Sequence, residues 1–308
     1  MKGYLPEGRL LNTPENRAML ATPAGLHRAM AEGRILEGMA VLCDAEHNLH
    51  VDCGGRMGVI PRVEAARGIG DGSTREIAIL SRVGRPVSFM VEALEGRDGR
   101  WTPILSRRKA QEQALEALLQ CRRGDIIPAS VTHLEPFGAF VDIGCGVPSM
   151  IGVENLSVSR IPHPVHRFTM GQQIYVLVTG VDRERGRLTL SHKELLGTWA
   201  ENAAAFQQGA TVPGVVRGVQ DYGSFVELTP NLSGLAEPRP DLQEGEQVSV
   251  YLKSIVPERM KIKLLVIDRL PPLTEPLPLH YYHTHGRLDR WRYAPEGCEK
   301  GAEWSAEE

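Results

Sequence analysis

Two short runs in this chain set flat aromatic rings beside glycine: Phe137-Gly138-Ala139-Phe140-Val141-Asp142 and Tyr222-Gly223-Ser224-Phe225-Val226-Glu227. Both read aromatic, Gly, small, Phe, Val, acid. In a β-strand successive side chains point to opposite faces. Ala139, Val141 and Ile143 then share one apolar face, so Gly138, Phe140 and Asp142 are expected to face solvent. In the second run Val226 and Leu228 form the apolar set, and Phe225 shares its face with Gly223 and Glu227. A strand phenylalanine is commonly core, but two copies with the same parity place both rings outside. Glycine beside an exposed ring leaves room for a flat ligand, and base stacking on an aromatic ring is worth about 1–3 kcal/mol by alanine substitution. Phe137 and Tyr222 precede the bends at Gly138 and Gly223, where parity says less.

Stacked bases bring phosphates, which need cations. Candidates are Arg183, Arg185, Arg187 and Lys193 after the first run, and Arg259, Lys261 and Lys263 after the second. Acids are mixed into both sets, so most of these side chains read as solvated faces. The 308-residue chain has a formal net charge of −3, which excludes a protein-wide basic field and leaves any polyanion to local contacts.

The elements that would position these residues repeat. Each run is preceded by a strand-like segment from Gly124 or Gly209. Each is followed by a second run (Ile174–Val178, Val248–Leu252) and a basic alternating one (Arg187–Ser191, Lys261–Leu264). Short alternating runs at this spacing predict a small all-β barrel. A fainter upstream copy has Asn48–Asp52 and Ile104–Ser106 in the equivalent places and lacks the aromatics. Arg107–Gln120, free of Gly and Pro, predicts a linking helix, and Leu195–Phe206 a shorter one. Thr13-Pro14 and Thr22-Pro23 read as helix starts. Four prolines between Leu270 and Leu279 predict an extended linker.

The stretch Phe137–Gly144, with Asp182-Arg183-Glu184-Arg185-Gly186-Arg187-Leu188-Thr189-Leu190-Ser191, closely resembles the S1 RNA-binding domain, a five-stranded barrel of the OB type. The likeness covers Arg122 to about Leu196, is good over Gln207–Ile267 and partial over Gly33–Ala110. It implies single-stranded RNA bound across an exposed sheet face. It also implies RNA contacts at Phe137, Phe140, Asp182 and Arg187, and at Tyr222, Phe225 and Lys261 in the later copy. The family's histidine after the next turn falls at Gly152 and near Glu237, so that contact is missing, and Glu237 would repel phosphate. Weaker binding is expected of the later copy, whose Asp-Arg turn has become Val256-Pro257-Glu258-Arg259. The upstream copy has His47 and His50 in the aromatic places and is expected to be structural or to contact the ribosome, with RNA binding as the lesser alternative.

The resulting expectation is a mainly β chain of three tandem OB barrels with short helical linkers. Its segments would be an N-terminal helical stretch (1–32), a divergent barrel (33–110), a linker (111–121), the central S1-type barrel (122–196), a linker (197–206), a third barrel (207–267) and a Pro-rich linker with an aromatic and basic tail (268–308). The tail, His280–Tyr293, admits three readings: an RNA-stacking arm through Arg290, Trp291, Arg292 and Tyr293; a segment folded back on a barrel; or a metal site at His283, His285 and Cys298, whose spacing is poor. Five scattered cysteines suggest neither disulfide framework nor zinc site. No phosphate loop, nucleophile elbow or metalloprotease motif is present, so no catalysis and no cofactor are expected. With neither a signal peptide nor a run of about 18 apolar residues, a cytoplasmic protein is expected. Its expected partners are single-stranded RNA, mRNA foremost, and the small ribosomal subunit. The rival reading is a protein-interaction scaffold.

Overall fold

A computed structural model of the chain describes residues 4–97, 100–295, 298 and 301–307. The remaining positions of the expected N-terminal segment, first barrel and tail lie outside the described residues. The protein is mainly β, with three five-stranded barrels in sequence, two closed and the middle one nearly so. No helix among the described residues is long and apolar enough to cross a membrane. The chain divides into two compact units.

The first unit comprises the chain to residue 120 with 128–130 and 142–148. Its barrel runs β1 (Leu36–Cys43), β2 (Leu49–Asp52), β3 (Met57–Ile60), β4 (Pro86–Arg97) and β5 (Arg100–Ser106), closing in the order β1-β2-β3-β5-β4. Leu36, Ala40, Leu49, Val51, Phe89 and Leu105 fill it. Helices α1 (Pro14–Leu20) and α2 (Pro23–Ala31) begin as the sequence predicts. Thr13 and Thr22 accept hydrogen bonds from the amides of Asn16 and Gly25, with proline in each first turn. A one-turn α3 (Ile77–Leu80) precedes β4, and the predicted linking helix is α4 (Arg107–Leu118), capped by Ser106.

Asp142, expected to face solvent, is buried in this unit. Its carboxylate accepts hydrogen bonds from the amides of Glu7 (2.7 Å), Gly144 (2.8 Å) and Gly146 (2.9 Å). The N-terminal segment therefore covers the end of that strand, and parity cannot see a cover drawn from elsewhere in the chain. Burial pushes the Asp142 carboxyl up to about 7, with the neighbouring Glu7 charge adding to it. Glu7 itself is held below the usual carboxylate range by Arg107, whose Nε donates to it at 2.7 Å.

The second unit holds residues 121–127, 131–141 and the chain from 149. The middle barrel is β6 (Ile126–Glu135), β7 (Gly138–Asp142), β8 (Pro148–Gly152), β9 (Gln173–Asp182) and β10 (Arg187–Ser191), ordered β10-β9-β6-β7-β8. The predicted second joint is two pieces: a 3-10 turn at Lys193–Leu196 and α5 (Trp199–Ala203). Gly197 at φ +82° separates them, a left-handed conformation that favours glycine. The third barrel is β11 (Thr211–Gln220), β12 (Gly223–Thr229), β13 (Leu232–Ala236), β14 (Gln247–Val256) and β15 (Lys261–Arg269), closed in the order β11-β12-β13-β15-β14.

Glu227 departs from parity as Asp142 does. It is fully buried between Arg167, 2.6 Å away, and Arg217, because the loop after β8 brings Arg167 over the end of β12. Asn231 adds to this join, accepting from the Val158 amide (2.9 Å) and donating to the carbonyls of Lys193 (2.8 Å) and Gly197 (2.9 Å). The two barrels of this unit are thus packed together rather than strung on a flexible linker.

Of the three readings of the tail, the structure shows the fold-back. Trp291 and Tyr293 are buried in the core of the third barrel, so their rings are closed to stacking, and Tyr293 donates to the Asn231 carbonyl at 2.6 Å. A short pair of strands, β16 (Arg290–Arg292) and β17 (Glu303–Ser305), ends it. His192 lies 2.7 Å from the Leu156 carbonyl at Nδ1 and 2.8 Å from the Tyr281 hydroxyl at Nε2. A carbonyl can only accept, so Nδ1 carries the proton, and in the neutral ring that burial favours Nε2 accepts from the tyrosine hydroxyl. Burial pushes this imidazole down to about 4.

Two outcomes are expected. Glu227→Ala leaves two arginines buried without a counter-charge and should cost about 3–5 kcal/mol in urea unfolding. For His192, the unfolded chain takes up a proton near pH 6.5 that the native state refuses until about 4. Stability should therefore fall as pH drops through that window, by on the order of 3 kcal/mol. His192→Gln should remove that part of the pH dependence, measured as the difference between the two proteins' unfolding free energies at pH 7 and pH 4.5.

Candidate nucleic-acid interface

The aromatic pairs stand where the sequence puts them. Phe137 is 56% exposed and Phe140 half-buried, their ring centroids 6.0 Å apart and edge to face at 85°. In the third barrel Tyr222 is 65% and Phe225 40% exposed, at 6.2 Å and 88°. Beneath both pairs Ala139, Val141, Val226 and Leu228 are buried. The motif glycines have a backbone reason. A β-carbon at Gly138 would strike the Ile151 carbonyl, and one at Gly223 the Ala236 carbonyl, with Gly223 also at φ +149°. Glycine lets the neighbouring strands approach at the point where each aromatic pair begins.

The other sequence-predicted residues divide. Asp182 and Arg187 face each other across the β9–β10 hairpin. Asp182 accepts from the Arg185 amide at 2.9 Å, so it builds the turn, while Arg187 is exposed. Lys261 is exposed but pairs in register with Val256, away from the row that contains Phe225. That row runs Phe225, Leu235, Lys263 and Ser254 across β12, β13, β15 and β14. Lys263 is thus in line with the exposed ring, with Leu235, 37% exposed, between them. The sequence marked Lys263 only as one cation among several, because a register across a parallel pair is not legible from one strand.

Glu237 does not stand alone, since Lys253 Nζ lies 2.6 Å from its carboxylate and offsets the expected repulsion. At Gly152 the space a β-carbon would enter is taken by the Glu154 carboxylate. On β6, His133 lies 6.2 Å from Phe140 with its ring tilted 38°, and its Nε2 is 2.7 Å from Glu135 Oε1. In the first barrel His47 is bound to Glu76 and His50 to Asp44, both at 3.1 Å, so these imidazoles are engaged at the positions where the other barrels expose rings. Hydrogen bonds from the Asn48 amide and His50 hold the Asp44 carboxyl down to about 2.

Residues 121–193 match the family model for the S1 RNA binding domain. The small ribosomal subunit protein bS1 of Leuconostoc lactis is 32% identical over 187 residues, 54% of this chain and 43% of that protein. Its counterpart from Staphylococcus aureus (strain COL) is 32% identical over 205 residues, 61% of this chain and 52% of that protein. The chain spans about half the length of these curated relatives. A multidomain protein with nucleic acid binding domains from Streptococcus pneumoniae superposes over 79% of this chain and 76% of its own at 15% identity, with a TM-score of 0.27 that carries no weight here. Sequence match, barrel order and paired rings agree over the middle barrel: residues 121–193 form an S1 RNA-binding domain, and the chain is similar to bS1 over about half of that protein's length.

Proposed function

We propose that this protein binds single-stranded RNA, mRNA in the first place, in translation or on the small ribosomal subunit, through the outer faces of its middle and third barrels. The observation that carries the reading is the duplicated pair of exposed, edge-to-face rings, Phe137 with Phe140 and Tyr222 with Phe225, each rooted on a buried strand face. Unpaired bases offer flat faces to such rings, whereas a duplex keeps its bases stacked on one another. The similarity to bS1 supports the setting in translation.

Arg187, Lys261 and Lys263 are exposed and supply the cations for phosphate, which fits a chain of net charge −3 that must bind by local contacts. The binding modules are assigned to 122–196 and 207–267, and Asp182 to ordering the turn that presents Arg187. The first barrel, which has histidines in place of the aromatic pair, is assigned a structural or ribosome-contacting role.

Fluorescence anisotropy with labelled single-stranded and duplex RNA of equal length tests this. Phe140→Ala and Phe225→Ala should each weaken single-strand binding by about 5- to 150-fold, the range set by about 1–3 kcal/mol per stacked base. Because the rings are outside the cores, the melting temperature should stay close to that of the parent. Arg187→Ala should weaken all sequences alike and reduce the salt slope by about 0.7. Equal affinity for duplex and single strand, or unchanged affinity in both ring variants, would overturn the reading and leave a protein-interaction scaffold.

A further inference from the structure

We infer that His133 is a third stacking residue of the middle barrel, and that the glycine at its counterpart, Gly218, makes the third barrel the weaker RNA site. The inference rests on the RNA-binding reading above and deepens it. His133 precedes Phe137 by four residues, as Gly218 precedes Tyr222, so the two are equivalent positions on β6 and β11. In the third barrel the register is explicit, Gly218 lying opposite Phe225 across β11 and β12. In the middle barrel the same relation brings the His133 ring within 6.2 Å of Phe140, while Phe137 stands 6.0 Å away from Phe140. On the middle barrel Phe140 thus has two neighbouring rings, His133 and Phe137, whereas on the third barrel Phe225 has Tyr222.

His133 is not explained by packing. Its side chain is 58% exposed, and it meets the surface carboxylate of Glu135 at 2.7 Å. An exposed pair of that kind contributes little to stability. What the pair does is fix the ring: with one edge tied to Glu135, the imidazole keeps its tilt of 38° to Phe140 and presents a face beside it. The histidine that related domains carry after the next turn falls here at Gly152, where Glu154 fills the space. The imidazole on this face comes from the neighbouring strand instead.

Gly218 gives the inference a gain-of-function arm. It has no left-handed backbone, and a β-carbon there would meet only Glu244 Oε1 at 3.8 Å and Phe225 Cδ2 at 3.9 Å, both ordinary contacts. A side chain is therefore accommodated and starts against the edge of the Phe225 ring.

The experiment measures labelled oligouridylate binding to the full chain by anisotropy. His133→Ala should weaken binding about 5- to 10-fold, while His133→Phe, which keeps a ring and removes the polar edge, should stay within about 3-fold of the parent. His133→Lys, which supplies a cation and removes the ring, should behave as the alanine variant does. In a Phe137→Ala, Phe140→Ala background, where the third barrel dominates, Gly218→His should tighten binding by about 3-fold or more. The inference is overturned if Phe140→Ala weakens binding but His133→Ala does not, or if the lysine variant binds like the parent and the phenylalanine variant like alanine. If neither Phe140→Ala nor Phe225→Ala changes affinity, the RNA-binding reading itself falls, and this inference with it.

Discussion

The structure depends on the two-sidedness of a barrel wall. Closing five strands seals one set of alternating side chains inside and leaves the other set facing out, so a strand that places Val141 or Val226 in the core must place Phe140 or Phe225 on the opposite side. Closure also sets the backbone approach at Gly138 and Gly223, where the facing carbonyls leave no room for a β-carbon. The aromatic, glycine, small, phenylalanine order follows from both requirements. The glycine admits the neighbouring strand, and the rings on either side of it stand edge to face over an otherwise closed surface.

The same outer face is not open along its whole length. Asp142 and Glu227 occupy the same place in their motifs, and each is enclosed by a segment from outside its own strand. The N-terminal chain covers Asp142 with amide donors, and the loop after β8 covers Glu227 with a guanidinium. A buried carboxylate persists only when donors or cations replace its water. The acid of the motif is therefore enclosed, while the aromatic two residues earlier keeps an exposed edge. In the second unit this division has a mechanical result: the Arg167–Glu227–Arg217 group, Asn231 and the docked tail hold both ring pairs on one packed body. Under the proposed function, two such ring pairs fixed on one body would raise each other's effective concentration for a strand long enough to reach both.

The tail contributes to that body, its Trp291 and Tyr293 buried rather than exposed. Tyr281 closes on a neutral His192, Tyr282 packs against Gly197, and Trp291 and Tyr293 complete the core of the third barrel. Gly197 breaks the joint into two helical pieces and leaves room for the Tyr282 ring.

Much was determined by the sequence alone: three β-barrels, their order, the helix starts at Thr13 and Thr22, and the outward direction of Phe140 and Phe225. Each follows from period-two alternation or from a local cap, which need only neighbouring residues. Only the tertiary structure decided that Asp142 and Glu227 are buried, because their covers come from distant parts of the chain, and that Trp291 and Tyr293 are core rather than surface. It also decided that Lys263 lies in line with Phe225 and that His133 borders Phe140. Both depend on register between strands, and alternation within a single strand carries no record of which residue stands opposite.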